Sequence, residues 1–263
     1  MKQNYKFTIR YDGTKYQGWE HQPGRDTIQG KIESVLTRMI ETEHGDDYFK
    51  NVKRGIDDTL INLIAAGRTD AGVHAKAMIA NAIIDTEYSD EKICSYMNHY
   101  LPEDISIDGV KKCADHFHSR YNAKGKTYIY TCWCGDIKPV FNRKYVTVID
   151  RMPDIKKMKE AAQDLTGMHD YKSFCGNSHF KKSSVRVVDK IEITKEGPVI
   201  RFIYHGNGFL QNMVRIMTGT LLEVGYGKKA PCDIKEIIDV RSRTAAGFTA
   251  PPEGLCLDSI DYD

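Results

Sequence analysis

The sequence predicts an α+β fold in which two halves pool their strands into one sheet, with helices on one side. Three observations predict it. Elements succeed each other twice on a similar plan: strand, helix, strand, helix, strand, and then strand, helix, paired strands, helix and a final strand. The chain has 263 residues, enough for one large α/β body or two intimately joined halves. Turn residues interrupt every element, so no solenoid repeat or low-complexity tract is expected.

The elements follow in order. Tyr5 to Tyr11 alternates and is rich in aromatic and β-branched residues, a strand that Asp12-Gly13 ends. Gly18, Pro23 and Gly24 mark a loop. A helix then carries Ile28, Ile32, Val35, Leu36 and Met39 at helical spacing, capped by Asp26 or Thr27. Residues 41–60 are polar and irregular and read as an insertion or a poorly packed hairpin. A strand at Leu63 to Ala66 runs into Gly67-Arg68-Thr69-Asp70-Ala71-Gly72, and another covers Met78 to Ile84. Ser89-Asp90 caps a helix that Leu101-Pro102 stops. Ile105 to Val110 reads as a strand, 114–123 as a loop and Lys126 to Trp133 as a second long strand. Asp154 introduces a helix that Gly167 terminates. Ser173 to Ser184 reads as an exposed loop. Two strands, Val185 to Ile193 and Val199 to His205, join at Gly197-Pro198. Phe209 to Val224 is the longest helical pattern, a shorter helix lies near Asp233 to Val240, and Leu255 to Ile260 closes as a strand. The halves are divided as residues 1–110 and 111–263.

Composition narrows the function classes only a little. The chain is 41% hydrophobic and 28% charged, which suits a globular protein and argues against disorder. Its formal charge is +2, so any affinity for nucleic acid must come from the distribution of charge and not from its total. The 7 cysteines are scattered. Cys132 and Cys134 flank Trp133 without a second ligand pair, so zinc is not expected and free thiols in a reducing cytosol are. Residues 1–10 have no apolar signal core, and no run is long enough for a bilayer. A cytoplasmic location and no membrane contact are therefore expected.

The chemistry is densest at Gly67-Arg68-Thr69-Asp70-Ala71-Gly72-Val73-His74. Glycines on both sides allow a sharp turn and close approach of a bulky ligand. In extended backbone Arg68 and Asp70 face one side, and a guanidinium beside a carboxylate keeps it ionised. Such an anion serves as nucleophile or electrostatic partner, or else as a salt bridge within a tight turn. Tyr11, Tyr16, Trp19, Phe117, Tyr121, Tyr128 and Tyr130 recur near strand ends, as core residues or as platforms for bases. Basic residues gather at Arg120 to Lys126 and at Lys181 to Arg186, either solvated or facing phosphates across a cleft. Arg215 lies among Met213, Val214, Ile216 and Met217. If buried it needs a partner, for which Asp70 is the candidate.

Six segments, in order, resemble the TruA-type tRNA pseudouridine synthase family. They are Tyr11-Asp12-Gly13-Thr14-Lys15-Tyr16-Gln17-Gly18-Trp19; Ala66 to Ala75; Leu101-Pro102-Glu103-Asp104-Ile105; Phe117 to Tyr128; Gly208 to Met217; and Arg243 to Leu255. The resemblance implies two ferredoxin-like halves forming a continuous mixed/antiparallel sheet with flanking helices and a central basic cleft. It implies a homodimer with the tRNA anticodon stem-loop lying across both subunits, no cofactor and no metal. The activity implied is conversion of uridine to pseudouridine at tRNA positions 38, 39 and/or 40. By resemblance Asp70 is the catalytic carboxylate and Tyr128 packs on the target base. Arg215 pairs with the carboxylate, and Arg68 holds the anticodon arm open around the flipped base. Arg68, Lys126 and Tyr128 are the expected substrate contacts.

Three features depart from the family pattern. The stretch 43–62 is longer than usual, His21 stands where an arginine is common, and Asn98-His99-Tyr100 precedes Leu101-Pro102. His21 thereby weakens one possible phosphate contact. The alternatives are the same chemistry on ribosomal RNA or another tRNA site, a non-catalytic RNA-binding module, and a hydrolase using Asp70. The last is disfavoured by the lack of a clearly placed second acid.

Overall fold

The alternating residues of the first strand set the inner face of the first unit. In a computed structural model, which describes residues 2–50, 60–177 and 179–263, strand β1 (Lys2–Tyr11) buries Tyr5, Phe7, Ile9 and Tyr11 and turns the intervening side chains outward. It is followed by α1 (Ile28–His44), β2 (Ile64–Ala65), β3 (His74–Asp85), α2 (Asp90–Tyr100) and β4 (Ile105–Lys112). The strands lie in the order β4-β1-β3-β2, with every pairing antiparallel. Phe7 lies opposite both Ala80 and Val110. Thr27 caps α1 by accepting from the Gly30 N–H, and Ser89 caps α2 by accepting from that of Lys92, as their positions predicted. Ile28, Ile32, Leu36 and Met39 form the buried stripe of α1.

The second unit repeats the plan. It comprises β5 (Gly125–Trp133), β6 (Thr147–Val148), α3 (Ile155–Asp164), β7 (Gly167–Asp170), β8 (Val185–Glu196), β9 (Val199–Gly206), α4 (Met213–Gly225), α5 (Asp233–Val240) and β10 (Leu255–Asp261). Its strand order is β10-β5-β9-β8-β7. The pairings β5·β9, β9·β8 and β8·β7 are antiparallel, while β6 runs parallel to the end of β5. In each unit the fourth main strand flanks the first and the third separates the first from the second. That is the ferredoxin-like arrangement. Tyr130, Phe202 and Tyr204 of the sheet and Ile216, Met217 and Leu221 of α4 are buried in the second unit, and the Tyr204 hydroxyl bonds Thr218 Oγ1 of α4 at 2.9 Å.

The units comprise residues up to Lys124 together with Ser259–Asp263, and Gly125–Asp258. The first therefore extends past the 110/111 division read from the sequence. Loop 114–124 belongs to it because the Asn4 amide donates to the carbonyls of Ala114 and Phe117 (3.1 and 2.9 Å), and Ser119 N–H donates to Asn81 Oδ1 (2.8 Å).

Several boundaries also move. Helix α1 continues to His44, four residues into the stretch read as irregular, and Gly45 ends it at φ 95°. Residues 51–59 of the proposed insertion or hairpin lie outside the described residues. Gly167 does not terminate α3, which ends at Asp164; it opens β7 at φ 127°. Helix α4 begins at Met213 and not at Phe209, because Asn212 adopts a left-handed conformation (φ 58°) in a turn closed by Met213 N–H donating to the Leu210 carbonyl at 3.1 Å. Among the described residues no helix is long and apolar enough to cross a membrane.

Candidate active site

The Asp70 loop is an excursion from the sheet, and its two ends are fixed by backbone bonds. Ala66 N–H donates to the Ile79 carbonyl at 2.8 Å, and the chain leaves the sheet at Gly67. Val73 N–H donates to the Asp70 carbonyl at 3.2 Å, and the chain rejoins β3 at His74. Thr69, immediately before the aspartate, is buried and held twice. Its hydroxyl bonds the Tyr11 hydroxyl at 2.8 Å, and its carbonyl accepts from Trp19 N–H at 3.1 Å. On the far side Gly72 N–H donates to the Tyr16 carbonyl at 3.3 Å. Asp70 itself is half-buried between these ties.

Residues 11–19 thus act as a rail alongside the loop, which accounts for their glycines. Gly18 takes φ 95°, and a Cβ there would lie 2.8 Å from the Thr69 carbonyl oxygen. At Gly13 a Cβ would lie 2.0 Å from the Val73 carbonyl oxygen. The guanidinium of Arg68 is exposed and pairs with Glu20 at the end of the same rail. Spacing had suggested Arg68 as the charge partner of Asp70.

Two carboxylates anchor the rail. Asp104, from the Leu101-Pro102-Glu103-Asp104 segment, accepts from the Tyr16 hydroxyl (2.5 Å) and the Lys15 ammonium (2.6 Å), while its carbonyl accepts from Asp12 N–H (2.9 Å). Burial, and then the Asp104 bond, push the Tyr16 hydroxyl well above its usual pKa, so it stays a donor. At the other end buried Glu33 bonds His21 Nδ1 (2.8 Å), Gln29 Nε2 (2.8 Å) and Leu63 N–H (3.0 Å). His21, which stands where an arginine is common in the family, thus has its Nδ1 against a buried carboxylate.

In the second unit the candidate site residues ride on regular elements. Tyr128 is buried on β5, its ring meeting Phe209 edge-on with centroids 5.3 Å apart. Lys126, two residues earlier on the strand and so on the same face, is half-buried. Arg215 sits in the first turn of α4. Its Nε donates to the Ala250 carbonyl at 2.7 Å, and its own carbonyl accepts from Ala250 N–H at 3.1 Å. Segment 243–250 packs closely on the helix: a Cβ at Gly219 would lie 1.9 Å from the Phe248 carbonyl oxygen, and Gly247 N–H donates to Thr220 Oγ1 at 2.9 Å. Arg243 braces the segment through the Gly247 carbonyl (2.9 Å) and the Thr249 hydroxyl (3.0 Å).

The structure therefore places Arg68 and Asp70 on one loop of the first unit, and Lys126, Tyr128 and Arg215 on a strand and a helix of the second. Of the aromatics considered as base platforms, Tyr11, Tyr16, Trp19 and Tyr130 are core residues, at most 3% exposed. Tyr121 is open to solvent, as are Arg120, Lys124, Lys181 and Lys182. Sequence reasoning gave no role to Glu20, Glu33 or Asp104. Asp104 at least lies inside a recognised segment, whereas Glu33 is one acidic residue in an amphipathic helix and carries no such signal.

A family model described as tRNA pseudouridine synthase matches residues 8–122 and 161–263. Fold and match together define the class, an enzyme of the pseudouridine synthase type. A protein named tRNA pseudouridine synthase A 2 from Bacillus cereus (strain ZK / E33L) is 40% identical over 98% of this chain and 99% of its own length. One of the same name from Clostridium perfringens is 39% identical over the same shares. A tRNA pseudouridine synthase A from Bacillus sp. (strain KSM-64) is 40% identical, again over 98% and 99%. The chain belongs to the TruA-type tRNA pseudouridine synthase family.

Proposed function

We propose that this enzyme converts uridine to pseudouridine at positions 38, 39 and/or 40 of the tRNA anticodon stem-loop, with Asp70 as the catalytic carboxylate. The observation that carries the assignment is the Asp70 loop, whose flanking residues are held from both sides by a segment that also lies within the family match. A carboxylate that must meet one ribose or ring carbon gains most from such preorganisation.

The reaction breaks the N1–C1′ bond, turns the uracil and joins C5 to C1′; C5 gives up its proton and N1 takes one up. Asp70 attacks C6 or C1′, or removes the C2′ proton. In this reading Arg215 pairs with the carboxylate, and Tyr128 packs on the base, its own ring braced by Phe209. Lys126 and Arg68 contact the RNA, Arg68 holding the stem-loop open from a position fixed by Glu20. Extruding the base costs roughly a few kcal/mol, offset by stacking and phosphate contacts. The enzyme works in the cytoplasm as a homodimer, with tRNA touching both subunits. What supports pooling residues from two units is the order of the six segments and a match that spans both units.

Tritium release from C5-labelled uridine in unmodified tRNA, measured without added metal or cofactor, tests this. Asp70→Asn should lower the rate at least about a thousand-fold, as for loss of an essential catalytic group, with tRNA affinity kept. Turnover retained by the folded variant refutes the assignment of Asp70. Release from ribosomal RNA alone moves the substrate.

A further inference from the structure

We infer that Glu33 is a positioning residue for isomerisation. It acts with His21, without touching the substrate, by fixing both supports of the Asp70 loop to one buried carboxylate. The inference rests on Asp70 being the reacting group.

Glu33 is 3% exposed on α1. An ionised carboxylate so placed is costly unless hydrogen bonds surround it. Here one oxygen receives Leu63 N–H and Gln29 Nε2, and the other faces His21 Nδ1. Gln29 closes the ring, because its amide oxygen accepts from His21 N–H (3.1 Å) and its amide nitrogen also donates to the Leu63 carbonyl (3.2 Å).

The two chain segments joined there are the ones that fix the loop. Leu63 is the last residue before β2, from which the chain runs directly into Gly67–Asp70. His21 ends the rail on which Trp19 N–H holds the Thr69 carbonyl and Glu20 holds Arg68. Separating His21 from Leu63 would slide the rail against the strand, and the residue carried between them is Asp70. A carboxylate misplaced by about 1 Å forfeits a large part of its rate advantage while the RNA-binding surface stays intact.

Glu33→Gln replaces one acceptor oxygen with a donor, so either His21 or Leu63 faces a donor. At saturating enzyme, and at a temperature well below the unfolding midpoint, its single-turnover rate should fall about ten-fold with the tRNA dissociation constant within about two-fold of wild type. His21→Ala leaves the Leu63 and Gln29 bonds in place and should lose about three-fold in the same rate. His21→Arg restores a donor to Glu33 and should keep the wild-type rate. A structural role alone would lower the midpoint without moving the rate of the folded enzyme. A wild-type rate in folded Glu33→Gln overturns the inference, as does a loss that appears only in tRNA affinity. If Glu33→Gln does not fold, a wild-type rate in His21→Ala overturns it. Asp70→Asn run alongside tells the two readings apart: turnover retained there refutes the catalytic assignment itself.

Discussion

The two sets of proposed site residues are held by different means. In the first unit Asp70 sits on a loop whose neighbours are tied by side chains and backbone groups far away in sequence, from Tyr11, Tyr16 and Trp19. In the second, Tyr128 and Arg215 sit on a long strand and a helix, whose own ladders fix their backbones. A loop can be as exact as a helix, but only if particular residues hold it. Its support is correspondingly less tolerant of change.

Substitutions at tight contacts break or sharpen this contrast. The largest effect is expected from Gly13→Ala, whose new methyl meets the Val73 carbonyl oxygen at 2.0 Å. Overpacking of this kind costs about 1–3 kcal/mol, and the shift at the loop's exit should reduce turnover about a hundred-fold. Thermal melts and tritium release measure the two separately. Gly219→Ala makes an equally close contact, 1.9 Å from the Phe248 carbonyl oxygen, but inside a helix that favours alanine. It should cost a similar ~1–3 kcal/mol in the melt and reduce turnover about ten-fold, through the Ala250 support of Arg215. If Gly219→Ala harms turnover more than Gly13→Ala, the contrast is the wrong way round. The smallest effect is expected from Tyr11→Phe, which removes one hydroxyl from Thr69. A loss of about 1 kcal/mol in stability and a few-fold in rate is expected, and an unchanged rate would show that the Trp19 bond alone holds Thr69.

This contrast also explains what was legible in the sequence. The periodic elements were: the alternation of β1 and β5, the stripe of α1, the start of α3 after Asp154 and a cap for α1 narrowed to Asp26 or Thr27, because period and capping are local. The Asp70 loop stood out because its glycines and charged residues are packed into eight positions. Strands β6 and β7, of two and four residues, are too short for any period to show. The start of α4 was misplaced because Leu210 is buried at helical spacing while the backbone turns at Asn212. Arg215 was singled out for needing a partner, but the Ala250 carbonyl lies 35 residues away and no local pattern announces it. Glu33 was invisible for the same reason, since a carboxylate's burial is decided by what packs over it.

Strand β10 has a consequence for how the protein is made. Its first residues belong to the second unit, whereas Ser259–Asp263 belong to the first. There Asp261 accepts from Lys124 N–H at 2.9 Å, and the Tyr262 hydroxyl donates to the Ser119 carbonyl at 2.6 Å. A ribosome delivers the chain from its N-terminus, so the unit bearing Asp70 emerges first and yet waits for its closing residues until the whole of the second unit has been translated. A nascent chain halted short of residue 259 would already carry Arg68, Asp70, Tyr128 and Arg215, yet its first unit would still lack Ser259–Asp263, so the order of synthesis delays the closing of the unit that was begun first.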